Sequence, residues 1–237
     1  MSELPAVVEA VARTRDCVDG LLVNRALRRK SSQVSAESAL RGAWAVSVLS
    51  GVDVSLTALR SGEVADPIVQ GALRVSSELG SLADTWTRAP RQVLARMHLL
   101  SAAGLVTDET ALGRPIGNSA RRMDMLSDTL EATRAPALVV AAVVLGEILA
   151  LDAFSPSSVV VAHAAARLTL VERGLDPKSL VVIEVGSLEE RARTNAMLGR
   201  YVSGTPAGLT EWVNYVADLI NLGVRESTAI CEAIQRG

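Results

Sequence analysis

Apolar residues recur at intervals of three and four along nearly the whole chain, while strand-like alternation is scarce, so the pattern predicts a mostly helical, all-α protein. The first stripe runs through Leu4, Val7, Val8, Val11, Val18, Leu21 and Leu22 and marks one long amphipathic helix. Further helices are predicted over Ser35 to Ser50, Pro67 to Leu82, Pro90 to Ala103, Asn118 to Ala132 and Pro136 to Ala150. Others follow over Ser158 to Arg173, Leu188 to Val202, Pro206 to Leu222 and Arg225 to Gln235. Pro67, Pro90, Pro136 and Pro206 stand at first turns, and Gly104, Gly174 and Gly223 fall where helices should stop. The longest break, GLVTDETALGRPIGN from Gly104 to Asn118, reads as a loop or a short β-hairpin.

At 237 residues and 49% hydrophobic content the chain can bury a sizeable core, and without repeats or a convincing linker it reads as one domain. Residues 1–34 are expected to form a helical extension on a core of residues 35–237. The apolar run from Pro136 to Leu151 falls short of the ~20 residues a membrane span needs, and Glu147 interrupts it, so a buried core helix is expected. A net charge of -2 supplies no basic field for nucleic acid or a membrane surface. Cys17 and Cys231 lie far apart without ligand spacing, which suits free thiols in a reducing cytoplasm. The start MSELPAVVEA has no basic lead and apolar block of the kind a signal peptide carries, so a cytoplasmic protein is expected.

Conventional chemistry is sparse. His98 and His163 lack metal-ligand spacing, and His98, without an acidic or Cys partner nearby, reads as structural. Arg25, Arg28, Arg29 and Lys30 are expected at the C-terminal end of the first helix, where cations complement the dipole. Thr205 before Pro206 reads as a helix cap rather than part of a phosphate loop. Trp44, Trp86 and Trp212 read as core or interface anchors. No metal-binding set is evident.

The segment EILALDAFSPSSVVVAHAAARLTLVERGLDP, with Phe154 and the closing helix end RLTLVERGLDP, resembles the signature region of the Fic/Doc (Fido) family. That signature reads H-P-F-x-[DE]-G-N-G-R-x-x-R and is followed by an amphipathic helix. The resemblance implies a helical Fic-type fold and a site where the motif's His acts as general base for a target hydroxyl. The acidic residue would hold magnesium, the glycine turn would cradle phosphates, and the first Arg would grip them. Position by position, the base falls on Asp152, the Pro on Ala153 and the Phe on Phe154. The metal carboxylate falls on Pro156, Gly-Asn-Gly on Ser157, Ser158 and Val159, the first Arg on Val160, and the second Arg on His163.

Only Phe154 keeps the expected type. An Asp with an ordinary pKa of ~3.9 is a poor base near neutral pH. Pro156 offers neither a side-chain oxygen nor a backbone donor, Val159 resists the positive φ that glycine permits, and Val160 puts an isopropyl group where a cation is required. Ser157 and Ser158 precede a helix and read as N-capping residues; a small anion at the helix N-terminus is the alternative. Upstream, ALRGAWAVSVLSGVDVSL matches the frame of the family's inhibitory helix, [ST]-x-x-x-E-[GN]. Val46 takes the Ser/Thr position, Ser50 the Glu position, and Gly51 is retained. Both halves of the family's inhibitory ion pair are thus missing together, which leaves no lone buried charge. The loop LGRPIG takes the place of the target-binding flap.

A catalytically inactive Fic-fold protein acting through contacts with a protein partner or with itself as a homodimer is therefore expected, with neither cofactor nor metal. One alternative is a rewired ATP- and magnesium-dependent AMP transferase or nucleotide binder using Asp152, Glu147, Ser157, Ser158 or His163. Another is an unrelated helical regulatory protein.

Overall fold

A computed structural model of the protein describes residues 4–236, and the first three residues of the start read for a leader lie outside them. Among the described residues there are eleven α-helices and no strand. The most apolar is α7 (Ala137–Leu151), buried on nearly every side, which is the behaviour of a helix at the centre of a globule. It packs along α8 (Ser158–Glu172), whose run of Ala162, Ala164, Ala165 and Ala166 allows close approach. On one side of this pair lie α4 (Pro67–Trp86) and α5 (Pro90–Ala102). On the other lie α9 (Ile183–Glu189), α10 (Arg191–Val202) and the long α11 (Pro206–Arg236). Helix α2 (Leu27–Leu49) crosses between α4 and α9, α1 (Pro5–Leu22) lies along α11, and α6 (Ser119–Ala132) covers α7. No helix of the described residues is long and apolar enough to cross a membrane.

Thr205 caps its helix as expected, and Asp66 supplies a cap the sequence reading did not name. Asp66 Oδ1 accepts from the N–H groups of Ile68 and Val69 ahead of α4, and Thr205 Oγ1 accepts from Gly208 ahead of α11. Gly104 and Gly174 end their helices at φ 85° and 68°. Trp86 and Trp212 are core anchors, with Trp86 Nε1 donating to Thr169 Oγ1 and Trp212 Nε1 to the Ala142 carbonyl. Both cysteines are free.

The structure departs from the sequence reading at identifiable points. The expected stop at Gly223 does not occur, and one 31-residue helix replaces two. A Cβ there would come 2.7 Å from the Val182 carbonyl carbon, so this glycine serves close packing rather than termination. The four basic residues lie beyond the end of α1, in the turn and first turn of α2, so they do not complement the dipole of α1. Lys30 instead donates to the Ile234 carbonyl in the last turn of α11. The boundary drawn between residues 34 and 35 falls within α2, whose kink is at Lys30. Val8 is exposed, one step off the buried stripe of Val7, Ala10, Thr14, Val18 and Leu21. Two short helices, α3 (Leu56–Ser61) and α9, were not expected. Residues 104–118 form no hairpin: a single 3-10 turn, Glu109–Ala111, is their only regular structure.

Candidate functional site

Helix α7 ends on Asp152 in the left-handed region at φ 44°, a conformation a short polar side chain tolerates better than most, and the chain then turns tightly into α8. Several of the turn's polar groups bond within it. Phe154 N–H donates to Ser158 Oγ (2.9 Å), Ser157 N–H and hydroxyl both donate to the Phe154 carbonyl (2.9 and 3.3 Å), and Ser101 Oγ donates to Ser157 Oγ (2.8 Å). Ser157 is the N-cap residue of α8, yet its side chain makes no cap hydrogen bond. Ser158 reaches back to Phe154 instead of forward into the helix. Both serines are buried, as are Ala153, Phe154 and Val160. The peptide between Ser155 and Pro156 is cis.

The loop from Gly104 to Asn118 closes over this turn. Ile116 N–H donates to the Ala153 carbonyl (2.9 Å) and Gly113 N–H donates to His98 Nδ1 (3.1 Å). With Nδ1 accepting, the neutral ring carries its proton on Nε2, which is buried without a partner, and the ring meets Phe154 edge-on at 5.4 Å. His98 is therefore a structural latch between α5, the loop and the motif turn.

His163 is 4% exposed. Its Nδ1 lies 2.8 Å from the Val159 carbonyl, which can only accept, so Nδ1 holds a proton; in the neutral ring Nε2 then accepts from Ser187 Oγ at 2.9 Å. Burial pushes both histidines below the usual imidazole range, in His163 against a smaller opposing effect of the Val159 bond and the nearby Glu184. A depressed His pKa contributes stability that is complete above the unfolded value of ~6.5 and is lost as pH falls from there toward the folded value. Urea denaturation is accordingly expected to show lower stability at pH 5 than at pH 7.5. His98→Gln, which retains an acceptor for Gly113, should flatten part of that slope; an unchanged slope would contradict the latch.

The inhibitory-helix positions lie at the end of α2. Val46 is buried, Ser50 Oγ donates to the Val46 carbonyl (2.8 Å), and Gly51 takes φ 92°. The last turn of α2 borders His163: Val48 and Leu49 share with it the walls of a half-enclosed cavity of about 420 Å³. Val159, Ser187, Arg191, Thr194, Asn195 and Trp212 also line it. Sequence reasoning missed these α9 to α11 residues. Arg191, Thr194, Asn195 and Leu198 stand at i, i+3, i+4 and i+7 on α10, a mixed polar and apolar stripe that was the available signal.

Glu147 does not join Asp152 in a metal site. Its carboxylate is held by the Arg122 guanidinium, Nε at 3.0 Å and Nη2 closer, and by the Tyr201 hydroxyl at 2.6 Å. Burial, then the bond to Glu147, pushes the Tyr201 phenol well above its usual range. Among the described residues no group of three or more His, Cys, Asp or Glu side chains converges. A metal–nucleotide does not fit the motif turn. Pro156 brings no ligand oxygen, Val160 is packed in the core, and the turn's own serines and carbonyls take up the Phe154 and Ser157 N–H groups.

The whole arrangement, a central apolar helix followed by a tight turn and a second buried helix, with an overlying loop and a capping helix, is that of the Fic fold. The chain superimposes on the crystal structure of a Fic family protein from Desulfovibrio desulfuricans G20 with a TM-score of 0.78, at 20% identity, over 97% of this chain and 76% of that one. It likewise matches Fic-1 (aa134–508) from C. elegans with a TM-score of 0.72, at 16% identity, over 95% of this chain and 72% of that one. No protein-family model and no curated protein matches the sequence. The chain has the Fic/Fido fold, which sets aside the reading of an unrelated helical architecture.

Proposed function

We propose that this chain is a catalytically silent Fic-fold protein that acts through protein contacts. The observation that carries the reading is the motif turn: Ala153, Phe154, Ser157, Ser158 and Val160 are all buried and the turn is hydrogen-bonded to itself and to Ser101. A working transferase site needs a base, an anion cradle and a cation open to substrate. Here the first position is an Asp, the second has two buried serines and Val159 in place of the glycine turn, and the third is an isopropyl group.

The overlying loop supports the contact role. It is bonded to the motif turn through Ile116 and exposes that residue's side chain, while Leu99, beside Gly113 of the same loop, is exposed as well. Apolar groups on a segment fixed to the fold suit a protein partner, whether a different chain or a second copy of this one.

Incubation with labelled ATP and magnesium is expected to transfer no label to the protein or to added proteins, and Asp152→His alone is expected to leave that result unchanged, because one restored base leaves Val160 and Pro156 in place. Magnesium-dependent labelling of the natural chain would overturn the reading in favour of a rewired transferase.

A further inference from the structure

The cavity beside His163 has no part in the protein contacts proposed above, and its walls have a definite chemistry. Leu145, Leu149, Val159, Leu198 and Leu219 make it mainly apolar, and its volume of about 420 Å³ lies within the ~300–1,000 Å³ range of small-molecule sites. Its polar groups are few and directed. Because His163 Nδ1 is committed to the Val159 carbonyl, Ser187 gives its proton to Nε2 and keeps lone pairs free to accept. Thr194 Oγ1 and the Tyr215 hydroxyl are paired with each other at 2.8 Å.

Charge then narrows the class. Among the described residues no carboxylate lines the cavity, and its single charged residue is Arg191, which is exposed in the first turn of α10. The neighbouring Arg193 and Arg225 are engaged by Glu190 and Glu189, whereas Arg191 makes no salt bridge or side-chain hydrogen bond among the described residues. One cation at the mouth of an apolar chamber suits one negative charge. It does not suit a polyphosphate, whose several charges would face a neutral buried imidazole and leucine side chains.

We infer that this cavity binds a small organic acid: an apolar, ring-sized body seated against Trp212, Leu198 and Val159, with a single carboxylate held at the mouth by Arg191 and Asn195. A ligand hydroxyl or N–H would find its acceptor in Ser187. The inference rests on the silent-site reading only in that the ligand is not a nucleotide.

Calorimetric titration with indole-3-acetate as the probe, and with indole-3-acetamide as its neutral counterpart, tests it. The acid is expected to bind about tenfold more tightly than the amide, as one charge-assisted hydrogen bond provides. Arg191→Gln, an exposed change, should remove that difference without weakening the amide. Leu198→Trp, on a half-buried position of α10, should abolish binding of both while the helical circular dichroism is retained. Absence of acid binding to the natural chain, or binding that Leu198→Trp leaves intact, overturns this inference alone. Displacement of the acid by magnesium–ATP overturns both it and the silent-site reading.

Discussion

Replacing Arg167 by leucine is expected to destabilise the protein by about 3–5 kcal/mol, the cost of leaving a buried charge without its partner. Arg167 is 1% and Glu184 4% exposed. The guanidinium donates to Glu184 Oε1 at 3.3 Å and to the Ser179 carbonyl at 2.8 Å, and it lies under Gly42 of α2, where a Cβ would come 2.7 Å from Nη1. Arg167 Nε and Glu184 Oε2 are buried without partners, so the pair is incompletely satisfied even in the natural chain. Such a pair contributes little over an apolar replacement, yet breaking it by half is costly. Glu184→Leu, the other half of the pair, should cost a similar amount, and the double variant Arg167→Leu with Glu184→Leu should therefore recover most of the lost stability. A loss of this size is a large share of the ~5–15 kcal/mol that holds a domain together. Urea denaturation of the two single variants and the double variant is the measurement, and a single variant within ~1 kcal/mol of the natural chain would contradict the account.

Gly186→Ala should be nearly as damaging, for a steric reason. Helix α9 passes α11 so closely that a Cβ on Gly186 would fall on the Leu219 carbonyl oxygen, with the Leu219 carbonyl carbon at 2.9 Å and its Cα at 3.0 Å. Those atoms are backbone, so no rotamer change relieves the overlap and one helix must move. We expect about 3 kcal/mol of destabilisation, the upper end of overpacking costs, despite the gain of up to ~1 kcal/mol that alanine brings to a helix. Gly80→Ala, at an exposed position of α4, is the control: nothing lies within 4 Å of its Cβ, so only the gain should appear. Because α9 also carries Glu184 and Ser187, the displacement would disturb the buried ion pair and the partner of His163 together. A thermal midpoint for Gly186→Ala equal to that of the natural chain would show that the helices are farther apart than the structure has them.

Much of the helical scaffold was legible because a 3.6-residue apolar period and prolines at helix starts act locally. The motif frame was legible from Phe154 and the helix end at Gly174, and the structure places that frame on α7, the turn and α8. What the sequence concealed was tertiary. Gly223 carries the same letter as a helix stop, and only the approach of Val182 reveals it as a packing point. Helix α9 is only seven residues, IEVGSLE, with Ile183, Val185 and Leu188 as its apolar positions, too short for its period to register. The serines looked like caps because serine caps helices often, yet burial of the turn turned their hydroxyls back on it. The flap looked able to pair as a hairpin, but its Ile116 N–H is committed to Ala153. The cavity was hidden because its polar residues sit on α9, α10 and α11, beyond the motif along the chain, and only the fold brings them to His163.

The central claim is that the motif turn is closed to a metal–triphosphate. Crystals of the natural chain soaked with ATP and magnesium test it most directly. The account predicts a motif turn with Ser158 still bonded to Phe154 and no ordered triphosphate beside it; a triphosphate bridged by magnesium at Asp152, with the turn opened to receive it, would contradict it.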